Sequence, residues 1–432
     1  MIDLEQRLQA SARALVMSGR AESPHDAERA SPSHKIVSMP PAWHRDLICS
    51  KNGPQAILAN AIAAFRKAPE WDGAIARDEF AVRTIARRPT PWGFVGHWTE
   101  QQDALAAEWL QHQGILVSCD TAARAVETVA EENRFHPVRE YLDSLQWDGT
   151  PRLDSWLSTY LGAQPSRYYA SVGPRWAISA VARVRKPGCK ADHLLVLSGP
   201  QGAGKSSASR ILGGEFYSDE IAELGSKDSS LQVAGAWVIE LAEIDAYTRA
   251  EQSRLKAFLS RSVDRFRPPY GRRVVEVPRQ SVFIGTVNNS AYLRDETGGR
   301  RFWPVQCGLI DTAALARDRD QIWAEAQHRF NAGETWWIDT DSLRAEAEQQ
   351  QAAVYESDPW EELIASWAEG REEITVPQVL QLCLEKPKGQ WTQADMNRIA
   401  RCLRVTGWER YQRRIEGVRE WRYRRVSPIV TS

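Results

Sequence analysis

A glycine-rich segment directly after a short apolar run constrains this chain more than any other feature. The run covers residues 194–197, and the segment after it, residues 199–206, matches the pattern G-x-x-x-x-G-K-[ST]. In such a segment the glycines let backbone N–H groups converge on an anion, the lysine neutralises phosphate charge and the final hydroxyl coordinates Mg²⁺. The sequence therefore predicts a phosphate-binding loop between a strand and a helix. The residues expected to contact a nucleotide are Gly199, Pro200, Gln201, Gly202, Ala203, Gly204, Lys205, Ser206 and Ser207.

Length and composition narrow the remaining classes. A chain of 432 residues is long enough for about three domains. It has no stretch of about 18 apolar residues and no basic segment followed by an apolar run at its start, so we expect neither a membrane span nor a secretory signal. Its six cysteines are scattered without a Cys-x-x-Cys pair, which fits a reducing cytoplasm and predicts no disulfide framework or zinc site.

Changes in composition along the chain predict five regions. Strand, glycine loop and helix in succession indicate an α/β fold for the central part, whereas helical spacing of apolar residues dominates before it. Near the end, a capping box at Thr392 and Asp395 precedes two arginine-rich and aromatic segments that alternate like a hairpin. The predicted regions are a flexible tail (1–33), a small mostly helical domain (34–135), a helical lead-in (136–190), the α/β core (191–340) and a winged-helix-like basic domain (355–432).

Acidic residues follow a second apolar run, at 236–241. A nucleoside triphosphatase needs carboxylates at the end of a neighbouring strand, to hold a metal ion and to polarise the attacking water. We assign Glu240, together with Ser206, to the metal ion and Glu243 to water activation, with Asp245 as the alternative to Glu243. A solvated acidic strand end would explain the same residues without catalysis.

A third apolar run, at 281–287, ends in Asn288. A parallel sheet would bring this residue to the same edge as the loop and the carboxylates, where it could orient water against a phosphate. Arg300 and Arg301 follow on a loop containing Gly298 and Gly299, and we expect them to act as an arginine finger on a neighbouring subunit. The simpler interpretations are a turn after a strand and surface arginines.

Two basic segments predict contacts with DNA. The first is a hairpin turning near residues 269–271, which suits a single-strand backbone and a stacked base. The second lies in the C-terminal region, where residues 398–425 contain ten arginines and three glutamates, for a net charge of +7. We expect that region to bind duplex DNA through its wing and preceding helix; solvated arginines, or a patch for an acidic protein, are the alternatives. The predicted contacts are Lys256, Arg265, Arg267, Tyr270, Arg272, Arg273, Arg398, Arg401, Arg422 and Arg424.

These motifs together resemble a known family. The order of the segments at 135–149, 199–206, 240–243, 265–273 and 297–304 is similar to that of the virulence-associated E family of phage and genomic-island ATPases, and also to superfamily 3 helicases. The resemblance implies an AAA+-like ring, a homo-hexamer, that uses ATP and Mg²⁺ to move on single-stranded DNA during replication of a mobile element. Superfamily 3 members often carry adjacent carboxylates, whereas Leu-Ala separates Glu240 from Glu243 here.

The sequence therefore predicts an ATP-driven DNA helicase in the cytoplasm of a bacterial cell. A regulatory ATPase that assembles on DNA without unwinding it is the main alternative, and a small-molecule kinase fits less well because no acceptor site is evident. Many relatives are fused to a primase, but residues 1–135 contain no Asp-x-Asp pair or cysteine-rich element. Primase and other replication proteins are therefore expected as partners, and the region 34–135 as a collar or a DNA-binding domain.

Overall fold

The computed structural model describes residues 41–221, 227–267, 274–294, 299–415 and 418–425. The chain divides into two units, Met1–Leu47 and Ile48–Ser432. In the first unit the described residues contain a 3₁₀ turn, Ala42–Asp46, and the tail predicted over residues 1–33 lies outside them. The second unit, described from here on, holds the sheets and the sites.

The region before the central sheet combines helices with a small sheet. Its elements are β1 (Cys49–Ser50), β2 (Gly53–Pro54), α1 (Leu58–Lys67), β3 (Ile75–Asp78), β4 (Arg83–Ala86), β5 (Gly96–His97), α2 (Glu100–His112), α3 (Cys119–Glu132) and β6 (Arg134–Phe135). The strand order is β5-β4-β3-β6, with β3 and β6 parallel. Helices make up most of the regular structure of this region, as expected, but the four-stranded sheet was not predicted. Its strands of two to four residues are too short to show an alternating pattern.

Three helices lead into a five-stranded parallel sheet that forms the centre of the unit. They are α4 (Pro137–Ser144), α5 (Trp156–Leu161) and α6 (Arg167–Arg185). The sheet order is β13-β7-β12-β9-β8, and all neighbouring strands run parallel. The strands are β7 (Leu194–Ser198), β8 (Tyr217–Ser218), β9 (Val238–Leu241), β12 (Val282–Val287) and β13 (Phe302–Gln306). Helices cover both faces of such a sheet, which explains why its strands are continuous apolar runs in the sequence.

Buried tryptophans pack the helices onto this sheet. Trp176 on α6 donates its indole N–H to the carbonyl of Phe283 in β12 at 3.1 Å. Trp323 lies on α10 (Thr312–Asn331) and donates to the carbonyl of Leu212 at 3.0 Å. Both rings are fully buried, and each polar N–H has a partner, so neither carries the cost of an unsatisfied buried donor. The loop after β7 therefore rests on a rigid core.

The other helices of the core flank the sheet, and a hairpin projects from it. The helices are α7 (Lys205–Gly213), α8 (Lys227–Val233), α9 (Arg249–Leu259) and α11 (Asp341–Ala353). The hairpin is the antiparallel pair β10 (Val263–Phe266) and β11 (Val275–Pro278). At its base the fully buried Arg279 donates to Asp264 at 2.7 Å. The predicted hairpin is thus present with a fixed base, while Tyr270, Arg272 and Arg273 of its tip lie outside the described residues.

The C-terminal region packs short helices against a three-stranded antiparallel sheet of order β14-β16-β15. Its elements are α12 (Pro359–Trp367), β14 (Glu373–Ile374), α13 (Val376–Gln378) with a following π turn, α14 (Gln393–Val405), β15 (Trp408–Ile415) and β16 (Val418–Arg425). The capping box predicted at Thr392 and Asp395 opens α14, and the predicted hairpin pairs Trp408 with Arg425. None of the described helices is long and apolar enough to cross a bilayer.

Candidate functional site

The glycine-rich loop lies at the carboxyl end of β7, next to the point where the sheet changes direction. From β7 the chain continues to β8, β9 and β12 on one side, and only later returns to β13 on the other side. In open parallel sheets, ligands bind outside the carboxyl ends of the strands at such a switch point. The topology therefore places the loop where a binding crevice is expected.

Two glycines give the loop its shape. Gly202 and Gly204 have φ values of +80° and +93°, in the left-handed region that other residues adopt at a cost. After them α7 begins at Lys205. The first N–H groups of a helix have no partner within the helix, and together with the helix dipole they favour an anion at this position.

Lys205 is buried and its ammonium group spans the crevice. The Nζ atom donates to the carbonyl oxygens of Gly199 and Pro200 at 2.6 and 2.9 Å, and to Oδ1 of Asn288 at 3.1 Å. Asn288 follows β12, whose residue Val287 pairs with Ser198 of β7. The structure thus brings together the lysine of the loop and the asparagine of the third apolar run, as the parallel-sheet argument predicted.

Glu240 is the carboxylate that the fold directs towards this helix. It is buried at 2% exposure, and its Oε1 atom accepts hydrogen bonds from Ser206 at 2.6 Å and Thr286 at 3.0 Å. Its Oε2 atom accepts from the hydroxyl of Tyr217 at 2.7 Å, and burial, together with this hydrogen bond, raises the pKa of Tyr217 above its ordinary value. All three contacts are with hydroxyl groups, so the negative charge of Glu240 is surrounded by neutral partners.

Thr286 and Tyr217 were not predicted as site residues. Thr286 lies two residues before Asn288 on an inward-facing position, a signal that the sequence did contain. Tyr217 belongs to the two-residue strand β8, and nothing in its sequence surroundings indicates a contact with Glu240.

The two remaining acidic candidates differ in geometry. Glu243 is exposed and its backbone has a φ of +52°, a left-handed conformation that costs a non-glycine residue of the order of 1–3 kcal/mol. Asp245 accepts a hydrogen bond from the backbone N–H of Asn288 at 3.4 Å. Glu243 is therefore exposed just after the carboxyl end of β9, whereas Asp245 positions the turn that carries Asn288.

Arg300 and Arg301 lie at the amino ends of the parallel strands, whereas the glycine-rich loop lies at the carboxyl end of β7. They precede β13, where Phe302 pairs with Leu194 at the amino end of β7, about five residues or roughly 16 Å from the loop end. Arg301 forms an ion pair with Asp192 at 3.4 Å and donates to the hydroxyl of Ser260 at 2.9 Å. Arg300 is exposed. These arginines cannot reach the loop of their own chain, so an action on a nucleotide requires a second copy.

Lys256 corrects one of the predicted DNA contacts. It is buried on α9, and its ammonium group lies 5.8 Å from the centre of the Phe302 ring. Arg265 and Arg267, by contrast, are exposed beside the hairpin tip, with Arg265 paired to Glu276 at 2.8 Å. The lysine is therefore part of the packing of α9, an orientation that a basic segment in the sequence does not reveal.

Arg398 and Arg401 correct a second prediction. Both face Asp358 at the start of α12: Arg398 donates to its two oxygens at 2.7 and 2.9 Å, and Arg401 also bonds it. The guanidinium group of Arg398 also lies 3.9 Å from the centre of the Trp360 ring. These arginines pair with Asp358 and stabilise the packing of α14 against α12, so their charges are offset within the chain.

Arg422 and Arg424 are likewise paired within the chain. Arg422 bonds Glu373 at 2.8 Å and Glu420 at 2.9 Å, and Arg424 lies 3.4 Å from Glu409. A count of charges over 398–425 missed this compensation because Glu373 comes from the distant strand β14. The region still has a positive net charge, but the carboxylates beside Arg422 and Arg424 partly neutralise the charge of these two arginines.

Comparison with known proteins assigns the central part of the chain to a family. Residues 142–356 match the family model described as the virulence-associated protein E-like domain. This stretch is a virulence-associated protein E-like domain. It includes the loop, Glu240, Asn288 and both arginines before β13, so the resemblance seen in the sequence motifs is confirmed.

Solved structures of the NrS-1 C-terminal region show a weak likeness to the chain. The apo structure of residues 305–718 is 13% identical, with a TM-score of 0.43 over 82% of this chain and 96% of that chain. An A form is 13% identical with a TM-score of 0.44 over the same shares, and an A form of residues 305–718 is 14% identical with a TM-score of 0.38 over 66% and 78%. No curated protein matches the chain.

Proposed function

We propose that this protein is an ATP-dependent DNA translocase that acts in the replication of a phage or mobile genetic element. The observation that carries the proposal is the convergence of four predicted residues at one sheet edge: the ammonium of Lys205 donates to Asn288, and the hydroxyl of Ser206 donates to the buried carboxylate of Glu240. The family of residues 142–356 supports the mobile-element context.

The residues at this edge fit a nucleotide with its magnesium ion. The loop from Gly199 to Ser207 and the start of α7 would hold the phosphates, with Lys205 neutralising their charge. Ser206 and Glu240 would hold the metal ion, and Glu240 fits this role because its charge is buried among hydroxyl groups without a cationic contact in the described part of the chain. When bound, Mg²⁺ supplies electrostatic stabilisation of the charge that develops on the phosphate oxygens.

The other residues prepare the attacking water. Glu243 is exposed just after the carboxyl end of β9 and is our candidate for accepting the proton of that water. Its left-handed backbone is consistent with a position fixed for function at the expense of local stability. Asn288 contacts Lys205 and would orient the same water through its side chain. Asp245 accepts a hydrogen bond from the backbone N–H of Asn288 and would hold that residue in position.

The position of Arg300 and Arg301 supports an assembled form. Because they lie at the opposite edge of the sheet from their own loop, they would reach a nucleotide only across an interface between copies. We propose a ring, a homo-hexamer, in which these arginines complete the neighbouring site. Arg301 must then exchange its contacts with Asp192 and Ser260 for the neighbour's phosphates.

The hairpin of β10 and β11 is the proposed element that contacts the translocating strand. The exposed Arg265 and Arg267 lead into its tip, and the buried pair of Arg279 and Asp264 anchors its base. A fixed base would transmit movement of the core to the tip. The contacts expected of Tyr270, Arg272 and Arg273 remain a prediction.

A DNA-binding regulatory ATPase that does not unwind DNA is the alternative. It is favoured by the state of Arg301, which is engaged within its own chain and not presented to a neighbour. The two functions differ in strand displacement. We expect phosphate release from ATP to increase on adding single-stranded DNA, together with displacement of a labelled strand from a forked duplex. DNA-stimulated hydrolysis without displacement would select the regulatory ATPase.

A mixing experiment tests the shared site. Lys205→Ala chains mixed with chains carrying Arg300→Ala and Arg301→Ala should regain hydrolysis, because some interfaces then combine an intact loop with intact arginines. Native mass spectrometry must show mixed assemblies in the same sample. Mixed assemblies without any recovered hydrolysis would remove the arginines from the neighbouring site.

A further inference from the structure

The two faces of the hairpin formed by β15 and β16 differ in charge balance. One face, which we name the paired face, carries Arg413, Arg422 and Arg424. Each of them contacts a carboxylate: Arg413 and Arg422 bind Glu373 at 2.9 and 2.8 Å, and Arg424 lies 3.4 Å from Glu409. The charges of this face are therefore compensated within the chain.

Among the described residues, the opposite face, which we name the open face, has no such compensation. Because side chains alternate along a strand and directly paired residues share a face, it comprises Trp408, Arg410, Gln412, Arg414, Arg419, Trp421, Tyr423 and Arg425. Trp408 and Tyr423 are buried in the core of the C-terminal region. The described residues of this face include four arginines and no carboxylate.

Two features of the open face do not serve the fold. Arg414 and Arg419 are exposed and pair directly across the two strands, an arrangement of like charges that destabilises a hairpin. Trp421 is 49% exposed although tryptophan contributes most when buried, and the guanidinium group of Arg410 lies over it at 3.9 Å. An external anion with a flat group would offset both features.

We propose that the open face binds single-stranded nucleic acid. Its phosphates would lie between Arg414 and Arg419, which offer planar donors to phosphate oxygens, and an unpaired base would stack on the Trp421 and Arg410 pair. The flat base selects nucleic acid over an acidic protein surface. The choice of partner rests on the proposed function, but the face itself lies apart from the nucleotide site.

This assignment also decides between a single strand and a duplex. A duplex reader of the type predicted from the sequence would present Arg398 and Arg401 of α14 to a groove, and Asp358 occupies both. The open face retains its charges and an exposed aromatic ring, which is the combination that binds an unpaired strand.

The test uses the full chain, without nucleotide, and fluorescence anisotropy of a labelled oligothymidine and of a duplex of equal length. The variant Arg414→Gln with Arg419→Gln is compared with Arg413→Gln with Arg424→Gln, which changes the charge of the same hairpin equally but on the paired face. Loss of two phosphate contacts should reduce the slope of log affinity against log salt by about 1.4, which lowers the affinity about 25-fold at 0.1 M salt relative to 1 M salt. The paired-face variant should bind nearly as the wild type does.

Trp421→Ala should weaken oligothymidine binding about fivefold or more, and Trp421→Phe should restore most of it. Equal losses for both arginine pairs, no loss for either, or an equal effect of Trp421→Ala on duplex and single strand would overturn the proposal. So would arginine-dependent binding to an acidic polypeptide in place of the oligonucleotide. Circular dichroism checks folding, and Arg317→Gln with Arg344→Gln, on α10 and α11, provides a second control if the paired-face variant unfolds. Phosphate release from ATP without DNA, measured on the same samples, separates failure of this inference from failure of the proposed function.

Discussion

The carboxyl edge of the central sheet and the C-terminal region respond differently to reasoning from sequence. At the sheet edge, Lys205, Ser206, Glu240 and Asn288 were named from three segments, and the structure places Lys205 in contact with Asn288 and Ser206 in contact with Glu240. In the C-terminal region, Arg398 was named from a local excess of charge, and it binds Asp358, forty residues earlier. The pairing of parallel strands fixes where residues at the strand ends lie. A count of charges contains no information about partners that are distant in the sequence.

The largest effect is expected at the sheet edge. Lys205→Ala should abolish ATP hydrolysis, because no other described side chain replaces the ammonium group at the loop. Phosphate release is the measurement, and Lys388→Ala, at an exposed lysine, is the control that should retain full activity. A Lys205→Ala protein that hydrolyses ATP like the wild type would show that the loop is not the nucleotide site.

The next largest effect is expected from substitutions of the acidic residues Glu243 and Asp245. Glu243→Gln should lower the rate of hydrolysis by about 10²- to 10⁴-fold while nucleotide affinity remains, since a general base acts only in the chemical step. Asp245→Asn removes a charge from the same turn, and it should reduce the rate less because Asp245 supports Asn288. If Asp245→Asn is the more damaging substitution, the roles assigned to the two residues are reversed.

The features that could be predicted from the sequence are those indicated by local patterns or by sheet topology. The strands β7, β9 and β12 and the contact between their ends follow from buried apolar runs and parallel pairing, which are local or topological rules. The sheet formed by β3 to β6 was not predicted, because its strands are too short to show an alternating pattern. Tyr217 reaches Glu240 only because β8 pairs with β9, a register that the sequence does not specify.

In the C-terminal region we expect an effect on stability. Asp358→Asn retains the hydrogen bond to the N–H of Trp360 at the start of α12 but removes the charge that binds Arg398 and Arg401. We expect the free energy of unfolding to fall by about 2 kcal/mol, since two charge-assisted hydrogen-bonded partners lose their anion. Thermal or urea unfolding measures it. Asp341→Asn, at an exposed ion pair with Arg344, should change stability little, and equal effects of both substitutions would mean that the arginines are not held as described.

The smallest effect concerns His193, which lies just before β7 at the edge away from the loop. Burial, and secondarily the charge of Arg183, lowers the pKa of His193 to about 3, and its ring stacks on Trp303 at 3.8 Å. Because the unfolded chain binds a proton below about pH 6.5 and the folded chain does not, stability should fall as the pH drops from there towards 3. At pH 5.5 this amounts to about 1.4 kcal/mol.

His193→Phe retains a stacking ring and should remove this part of the pH dependence. Urea unfolding at pH 7.5 and 5.5 compares the variant with the wild type. Phenylalanine at the exposed His112 serves as the control and should leave the pH dependence as it is in the wild type. An unchanged pH dependence in His193→Phe would assign the acid sensitivity to other groups.

The central claim is that the edge formed by the loop, Glu240 and Asn288 binds a nucleotide through a metal ion. The direct test is the affinity of a non-hydrolysable ATP analogue, with and without Mg²⁺, for the wild type and for Glu240→Gln. Mg²⁺ should tighten binding to the wild type at least tenfold and have little effect on Glu240→Gln, because the amide cannot replace the carboxylate that would hold the ion. Equal affinity of the wild type with and without Mg²⁺, or an undiminished Mg²⁺ effect in Glu240→Gln, would contradict the account.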